Sequence, residues 1–178
     1  MSDDKKEPWL NYMAFTTVFF ALFATLSTFK GGGFSTRAVI CQAMASDQWS
    51  YYQAKNIKGS LYEVQKDNLQ LALETLPANA SDAVKQHYMD SIAKADASVK
   101  KYEKEKTDLA AKAKDLEAQR DEAKKHGAPL GLAVILLQIA IVISSIAGLM
   151  KKRVLWLIAL PLGVLGIVYF ADGFWLLF

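Results

Sequence analysis

Residues that build reactive sites are scarce in this chain, which has one cysteine and two histidines. The single cysteine, Cys41, excludes an intramolecular disulfide, and no Cys/His spacing indicates a zinc site. His87 and His126 are separated by a long predicted helix, so they cannot share a site within one chain, and we interpret each as a surface residue. No metalloprotease, hydrolase or kinase motif occurs in the sequence. We therefore expect no enzyme activity, no bound cofactor and no metal centre.

An excess of charge of one sign is also lacking. The formal net charge is +3, and basic and acidic residues are nearly balanced between Phe34 and Gly127. Because a surface that binds nucleic acid needs clustered Lys and Arg, we expect no nucleic-acid partner.

Charged residues are missing altogether from three apolar stretches near the two ends of the chain. A helix rises about 1.5 Å per residue, and the hydrocarbon core of a bilayer is about 30 Å thick. We therefore predict transmembrane helices at residues 9–29, 130–150 and 154–170. The first stretch is longer than the apolar core of a cleaved signal peptide, so we interpret it as an uncleaved anchor.

Two of the predicted spans carry small or hydroxyl residues at helical spacing. They are Thr17, Ala21 and Thr25 in the first span and Ala140, Ser144 and Gly148 in the second. Small side chains at this spacing let helices approach closely in lipid. Gln138 is an amide deep in the second span, and two interpretations stay open for it. It forms a hydrogen bond between helices, or it lines the pore of an oligomer.

The central region repeats apolar residues every three or four positions, which is typical of coiled-coil helices. The stronger seam consists of Tyr88, Ile92, Ala95, Val99, Tyr102, Lys106, Leu109, Ala113, Leu116, Arg120 and Ala123. A weaker seam in the preceding helix consists of Ile40, Ala43, Asp47, Ser50, Ala54, Ile57, Leu61, Val64, Asn68 and Leu71.

A break separates these two helices. Pro77 cannot continue a helix, and Ser81 or Asn79 can cap the next one. A short connection makes the helices antiparallel neighbours. We predict a coiled-coil hairpin over residues 35–126, with helices at about 35–76 and 82–125.

Glycines cluster directly after the first predicted span, at Gly31, Gly32 and Gly33. Three consecutive glycines are expected to stop a helix, so we predict a joint at residues 30–34. It is either a loose linker or a hinge that lets the hairpin swing. A second helix end is expected at Gly127 to Pro129, because proline does not continue a helix.

The most distinctive run in the sequence contains Asp47, Gln48, Trp49, Tyr51, Tyr52 and Gln53. Three aromatic side chains within four residues of a helix cannot all face one seam, so some must face a second surface. The run is either an oligomer contact, where Trp and Tyr are enriched, or a recognition site for an envelope partner or ligand.

This run also carries a resemblance. The sequence Leu26-Ser27-Thr28-Phe29-Lys30-Gly31-Gly32-Gly33, followed by Ala45-Ser46-Asp47-Gln48-Trp49 and Tyr51-Tyr52-Gln53-Ala54-Lys55, resembles a family of small bacterial membrane proteins known only as a domain of unknown function. The order of one span, a helical hairpin and two spans is similar to that family as well. The resemblance implies a bacterial cell-membrane location and brings no activity.

The basic loop at residues 151–153 sets the expected orientation. Short loops rich in Lys and Arg lie in the cytoplasm, which places the charged N-terminus, residues 1–8, in the cytoplasm and the hairpin in the periplasm. Basic residues near the membrane ends of the hairpin argue the other way, but the rule counts long loops weakly. Residues 171–178 are expected to form an interfacial tail.

The sequence thus predicts an all-α membrane protein of the bacterial inner membrane, with three transmembrane helices and a long antiparallel coiled-coil hairpin. We expect a homo-oligomeric scaffold or interaction protein whose partners are its own copies, membrane lipid and another envelope protein. The alternative is an oligomeric channel with a pore along the symmetry axis, lined by Gln138 or by the Thr/Ser face of the first span.

Overall fold

The computed structural model describes residues 8–177 of the chain, and that range is helical apart from two short connections and the last two residues, Leu176 and Leu177. Helix α1 covers Pro8–Glu74, α2 covers Asp82–Leu149 and α3 covers Arg153–Trp175. The predicted all-α fold class is confirmed. Of the predicted N-terminal segment at residues 1–8, all but Pro8 lies outside the described residues.

The connection between α1 and α2 lies where the sequence predicts it. The backbone N–H of Ala80 donates to the carbonyl oxygen of Pro77 at 2.9 Å, which closes the turn. The N–H of Val84 donates to the Ser81 hydroxyl at 3.4 Å. Ser81 is therefore the N-cap of α2, as one of the two residues expected for that role.

The predicted joint at residues 30–34 is wrong, because α1 is helical without interruption through Gly31, Gly32 and Gly33. Glycine in a helix costs about 1 kcal/mol relative to alanine, and packing on neighbouring helices overrides such a preference. At Gly31 an added Cβ would lie 3.3 Å from Cβ of Leu130, so the missing side chain lets α1 and α2 approach closely. The structure therefore shows no helix break at these glycines that could act as the predicted hinge.

The helix end predicted at Gly127 to Pro129 is also wrong, since α2 continues to Leu149 with Pro129 inside it. Proline lacks an N–H and leaves the carbonyl four residues earlier without its helical partner. Helices that cross lipid tolerate this because neighbouring helices supply packing and polar partners. Gly127 takes part in that packing, as an added Cβ would lie 3.5 Å from Cβ of Phe34.

Helix α3 is longer at its C-terminal end than the predicted span of residues 154–170 and absorbs most of the predicted tail. It ends at Trp175, and the residue that follows, Leu176, is its C-cap with a left-handed φ of 49°. The N–H of Leu176 donates to the Asp172 carbonyl at 2.7 Å, and the N–H of Leu177 donates to Asp172 Oδ1 at 2.5 Å. Asp172 therefore caps the helix with its side chain as well as its backbone.

Cα–Cα proximity divides the chain into two units. The three-helix unit comprises Met1–Ile40 and Gln119–Phe178, and the hairpin unit comprises Cys41–Ala118. Helices α1 and α2 contribute to both units.

Within the three-helix unit, α1 runs parallel to α3 and antiparallel to α2. Trp156 Nε1 donates to Thr16 Oγ1 at 3.1 Å, and further along both helices the rings of Phe23 and Phe170 meet edge to face with centroids 5.1 Å apart. The core consists of Phe20, Ala24, Ala133, Leu137, Ala140 and Ala159. Gly163 lies against the ring of Phe20, which occupies the position that a Cβ at residue 163 would need.

Three helices in the described residues are long and apolar enough to cross a membrane, by length and composition. They are α1, α2 and α3, and they contain the three stretches chosen from the sequence. The predicted spans are consistent with these helices.

Candidate functional site

In the hairpin unit α1 and α2 are antiparallel and pack along one face of each helix. We call the two faces that meet there the inner seam. Lys55 Nζ lies 2.7 Å from Glu105 Oε2, and nearer the turn Lys66 Nζ lies 3.3 Å from Asp96 Oδ1. On α2 every predicted seam position from Tyr88 to Ala123 is buried or half-buried. The predicted α2 seam is therefore confirmed.

The α1 seam is not the one predicted. Every predicted α1 position from Ile40 to Leu71 is exposed. The buried and half-buried positions lie two residues earlier and include Cys41, Ala45, Tyr52, Lys55, Gly59, Tyr62, Lys66 and Leu69. Because two residues turn a helix by about 200°, the predicted row lies on the side of α1 that faces away from α2. We call this row, from Ala43 to Leu71 in the hairpin unit, the outer seam.

Small residues and tyrosines on α1 explain how the inner seam packs although α1 contributes few large aliphatic side chains to it. Gly59 is buried, and an added Cβ would lie 3.5 Å from Cβ of Tyr102. The rings of Tyr62 and Tyr102 stack with centroids 5.7 Å apart, and Lys55 Nζ lies 5.5 Å from the centre of the Tyr102 ring. Lysine stems cover apolar surface while their ammonium groups reach carboxylates at the edge.

The predicted interaction run divides between the two sides of α1. Gln48, Trp49 and Tyr52 are half-buried toward the inner seam, where Trp49 Nε1 donates to Glu117 Oε1 at 2.9 Å. The Trp49 and Tyr52 rings meet edge to face at 5.5 Å. Asp47, Tyr51 and Gln53 are exposed, and Asp47 belongs to the outer seam. The run therefore contributes both to hairpin pairing and to a free surface.

The outer seam is markedly apolar toward the turn of the hairpin. Ile57 is 62% exposed, Leu61 64%, Val64 58% and Leu71 60%. Their spacing of four, three and seven residues keeps them on one face of α1. Large apolar side chains grouped on an exposed face indicate an interaction surface.

The small-residue sets predicted in the spans also divide. Ala140 and Ser144 are fully buried in the three-helix unit, and Gly148 packs against the Met13 side chain. Thr17 and Thr25 donate to backbone carbonyls of their own helix, at Met13 and Ala21. Ala21, Thr25 and Gln138 are exposed, so Gln138 is an amide on the outer surface of a candidate span.

His126 has a more specific environment than the surface position expected for it. Its Nδ1 donates to the Gly173 carbonyl oxygen at 2.8 Å, and its ring stacks on Phe34 with centroids 5.0 Å apart. It therefore ties α2 to both α1 and α3 in the three-helix unit. The sequence carried no signal for this role because Gly173 lies 47 residues further along the chain.

Within residues 8–177, no group of three or more His, Cys, Asp or Glu side chains is placed so that it could hold a metal ion. Cys41 is buried and unpaired.

Comparison with known protein families assigns the chain to a family. Residues 9–176 match the family described as a domain of unknown function, DUF4337. The chain belongs to this family. Membership of DUF4337 confirms the resemblance seen in the sequence, and it assigns no activity to any residue. No curated protein and no solved structure matches the chain.

Acid should weaken the hairpin of this DUF4337 protein through its cross-helix ion pairs. Hydrogen bonds from Lys100 and Lys66 lower the pKa of Asp96, and a hydrogen bond from Lys55 lowers the pKa of Glu105. A carboxylate whose pKa is lower in the folded state stabilises the fold above the unfolded-state pKa, about 4. We expect that stability to be lost progressively as pH falls below about 4, through the lowered folded-state values.

Thermal unfolding of the full protein in a mild detergent, followed by circular dichroism between neutral and acidic pH, measures this effect. Asp96→Asn should reduce the pH dependence in the acid range, because the substituted side chain no longer titrates. Asp108→Asn is a matched control at an exposed position on the same helix. A wild-type protein whose stability does not change below pH 4 contradicts the expectation.

Proposed function

We propose that this DUF4337 protein is a non-enzymatic, homo-oligomeric scaffold or interaction protein of the bacterial inner membrane. In this proposal its three candidate spans cross the bilayer, and the antiparallel coiled-coil hairpin lies in the periplasm. The observation that carries the proposal is the outer seam of the hairpin unit, which exposes Ile57, Leu61, Val64 and Leu71. Exposed apolar surface of this kind serves protein–protein contact in a water-exposed segment.

Composition supports the membrane part of the proposal. Each of the three helices of this DUF4337 chain contains a stretch that is long and apolar enough to cross a membrane. The connection between α2 and α3 contains the basic sequence Lys151-Lys152-Arg153. Short basic loops stay in the cytoplasm. One crossing, the candidate span in α2, separates this loop from the hairpin, so a cytoplasmic loop supports a hairpin on the opposite side of the membrane.

Two measurements on the full-length protein test the proposal. Native mass spectrometry of the protein in mild detergent should give an oligomer, and a stable monomer at all concentrations would refute the homo-oligomer. Alkaline phosphatase fused at Ala80, in the turn between α1 and α2, should be active because the enzyme folds only in the periplasm. An inactive fusion that is expressed normally would place the hairpin in the cytoplasm.

The rival function, an oligomeric channel, is favoured by the exposed amide of Gln138. A polar side chain on the outer surface of a span is costly in lipid unless another helix or water satisfies it. Copies that meet there could line a polar axis. Planar-bilayer recordings decide between the two functions, since reproducible unitary currents altered by Gln138→Leu would favour the channel over the scaffold.

A further inference from the structure

The outer seam has the residue pattern of a second coiled coil. Its positions in the hairpin unit alternate in steps of three and four residues, as heptad positions a and d do. Leu61 and Asn68 occupy a positions, and Ile57, Val64 and Leu71 occupy d positions. The inner seam, two residues earlier in the chain, already serves the pairing of α1 with α2. One helix thus has two heptad seams on opposite sides, and among the residues that the structure describes only the inner seam has a partner.

We propose that the outer seam binds the same seam of a second copy of this chain, in a parallel and in-register coiled coil. This inference rests on the proposed membrane scaffold, because copies inserted in one membrane in the same sense have parallel α1 helices. It extends the proposed function by naming the contact surface, its register and its orientation.

A second copy is favoured over another partner because the outer seam matches itself. A coiled-coil seam packs against another seam of the same repeat. Within the hairpin unit, the exposed large apolar residues of α2 are only Val84 and Met89, both next to the turn. Helix α2 therefore offers no extended outer row, and the outer seam of α1 is the matching surface that the hairpin supplies.

Asn68 supports both the register and the identity of the partner. It is the polar member of an otherwise apolar row between Ile57 and Leu71. In a parallel in-register pair it faces Asn68 of the partner subunit, and an amide can donate to and accept from another amide. A single Asn at an a position specifies register at a cost in stability. In a register shifted by one heptad the two Asn68 side chains would no longer face each other and would lose that hydrogen bond.

Charges that flank the outer seam also permit the parallel pairing. The e positions near it are Lys58, Gln65 and Ala72, and the g positions are Gln53, Ser60 and Asp67. A parallel coiled coil brings each g residue near the e residue five positions later on the partner. Lys58 then meets Gln53 of the partner subunit and Asp67 meets Ala72 of the partner subunit, so like charges do not oppose each other at these flanking positions.

The first test introduces a charge into the outer seam of the full-length protein. Leu61→Glu should raise the dissociation constant of the oligomer at least about tenfold, since burying a Leu contributes about 1.5–3 kcal/mol and each 1.4 kcal/mol is a factor of ten. Gln70→Glu, an equal charge change at an exposed α1 position outside the seam, should leave it unchanged. Dilution series by native mass spectrometry give the constants, and circular dichroism checks that helix content is retained.

The second test measures register directly and does not depend on the first variant folding. In a Cys41→Ala background, Leu61→Cys chains in native membranes should form a disulfide-linked dimer on mild oxidation, and Glu63→Cys chains should not. Differently tagged Leu61→Cys and Leu71→Cys chains should not link to each other, because ten residues of helix separate the thiols by about 15 Å, beyond disulfide reach.

The outcomes separate this inference from the proposed function. An oligomer that is unaffected by Leu61→Glu and gives no Leu61→Cys disulfide overturns the outer-seam contact and leaves the scaffold in place. Linkage of Leu61→Cys to Leu71→Cys chains, without linkage between two Leu61→Cys chains, overturns the parallel register. A wild-type protein that is monomeric in membranes overturns both.

Discussion

Trp156→Ala should destabilise the protein by about 3–5 kcal/mol, the range for removing a large buried aromatic side chain. Trp156 is 8% exposed and lies near the start of α3, where its ring is 6.3 Å from that of Trp9. Its Nε1 donates to Thr16 Oγ1 at 3.1 Å. The substitution therefore removes an aromatic contact, a hydrogen bond and the packing between α1 and α3. Denaturant unfolding of the detergent-solubilised protein, followed by circular dichroism, measures the loss.

Two further variants separate the contribution of side-chain burial to stability from that of the indole hydrogen bond. Trp175 lies on the same helix and is 73% exposed, so Trp175→Ala should change stability by no more than about 0.5 kcal/mol. Trp156→Phe keeps a ring and loses the N–H, and should cost about 0.5–1.5 kcal/mol for the hydrogen bond plus a smaller loss of packing. Equal losses from Trp156→Ala and Trp175→Ala would show that α3 does not pack on α1 as described.

The two seams of the hairpin show what sequence patterns can and cannot resolve. The α2 seam was predictable because nine of its eleven positions are Ala, Leu, Tyr, Ile or Val in a regular repeat. On α1 the same reasoning found a real repeat and assigned it to the wrong side. Ile57, Leu61 and Val64 are among the most hydrophobic residues of α1 within the hairpin unit, and hydrophobicity alone does not tell which partner a face will meet.

The inner seam of α1 was hidden because its residues do not look like a core. Gly59 is buried against Tyr102, and Lys55 and Lys66 belong to the seam through their apolar stems and their ion pairs with α2. Each of these residue types is common on surfaces or in turns. Only the position of the opposite helix shows that they fit together, and that position is not encoded locally.

Breaks in helices were over-predicted for a related reason. Glycine and proline, at positions 31–33, 127 and 129, have low helix propensity, but helix propensity is a weak term next to packing along a long helix. Because Gly31 has no side chain, α1 can lie close to Leu130 of α2. The sequence alone did not show this close approach. His126 and Asp172 were missed as stabilising residues, since one bonds to a carbonyl far along the chain and the other caps the end of α3.

Ala113→Asp should open the hairpin unit, with a loss of about 3–5 kcal/mol, the cost of an uncompensated buried charge. Ala113 has no exposed surface. It lies on α2 between two cross-helix contacts, the hydrogen bond of Trp49 to Glu117 and that of Lys106 to Asn56. A carboxylate at this position has no room to reach water without separating α1 from α2. Both cross-helix hydrogen bonds should therefore weaken together.

The pH dependence of this variant distinguishes a buried charge from a simple steric effect. Burial disfavours the ionised form and raises the pKa of a carboxyl group, so the destabilisation should grow as pH rises above about 4 and should shrink in acid. Ala111→Asp places the same charge two residues earlier at an exposed position of α2 and should have little effect at any pH. If Ala111→Asp and Ala113→Asp unfold alike, the inner seam does not lie where the buried alanines indicate, and the outer seam loses the contrast by which it was recognised.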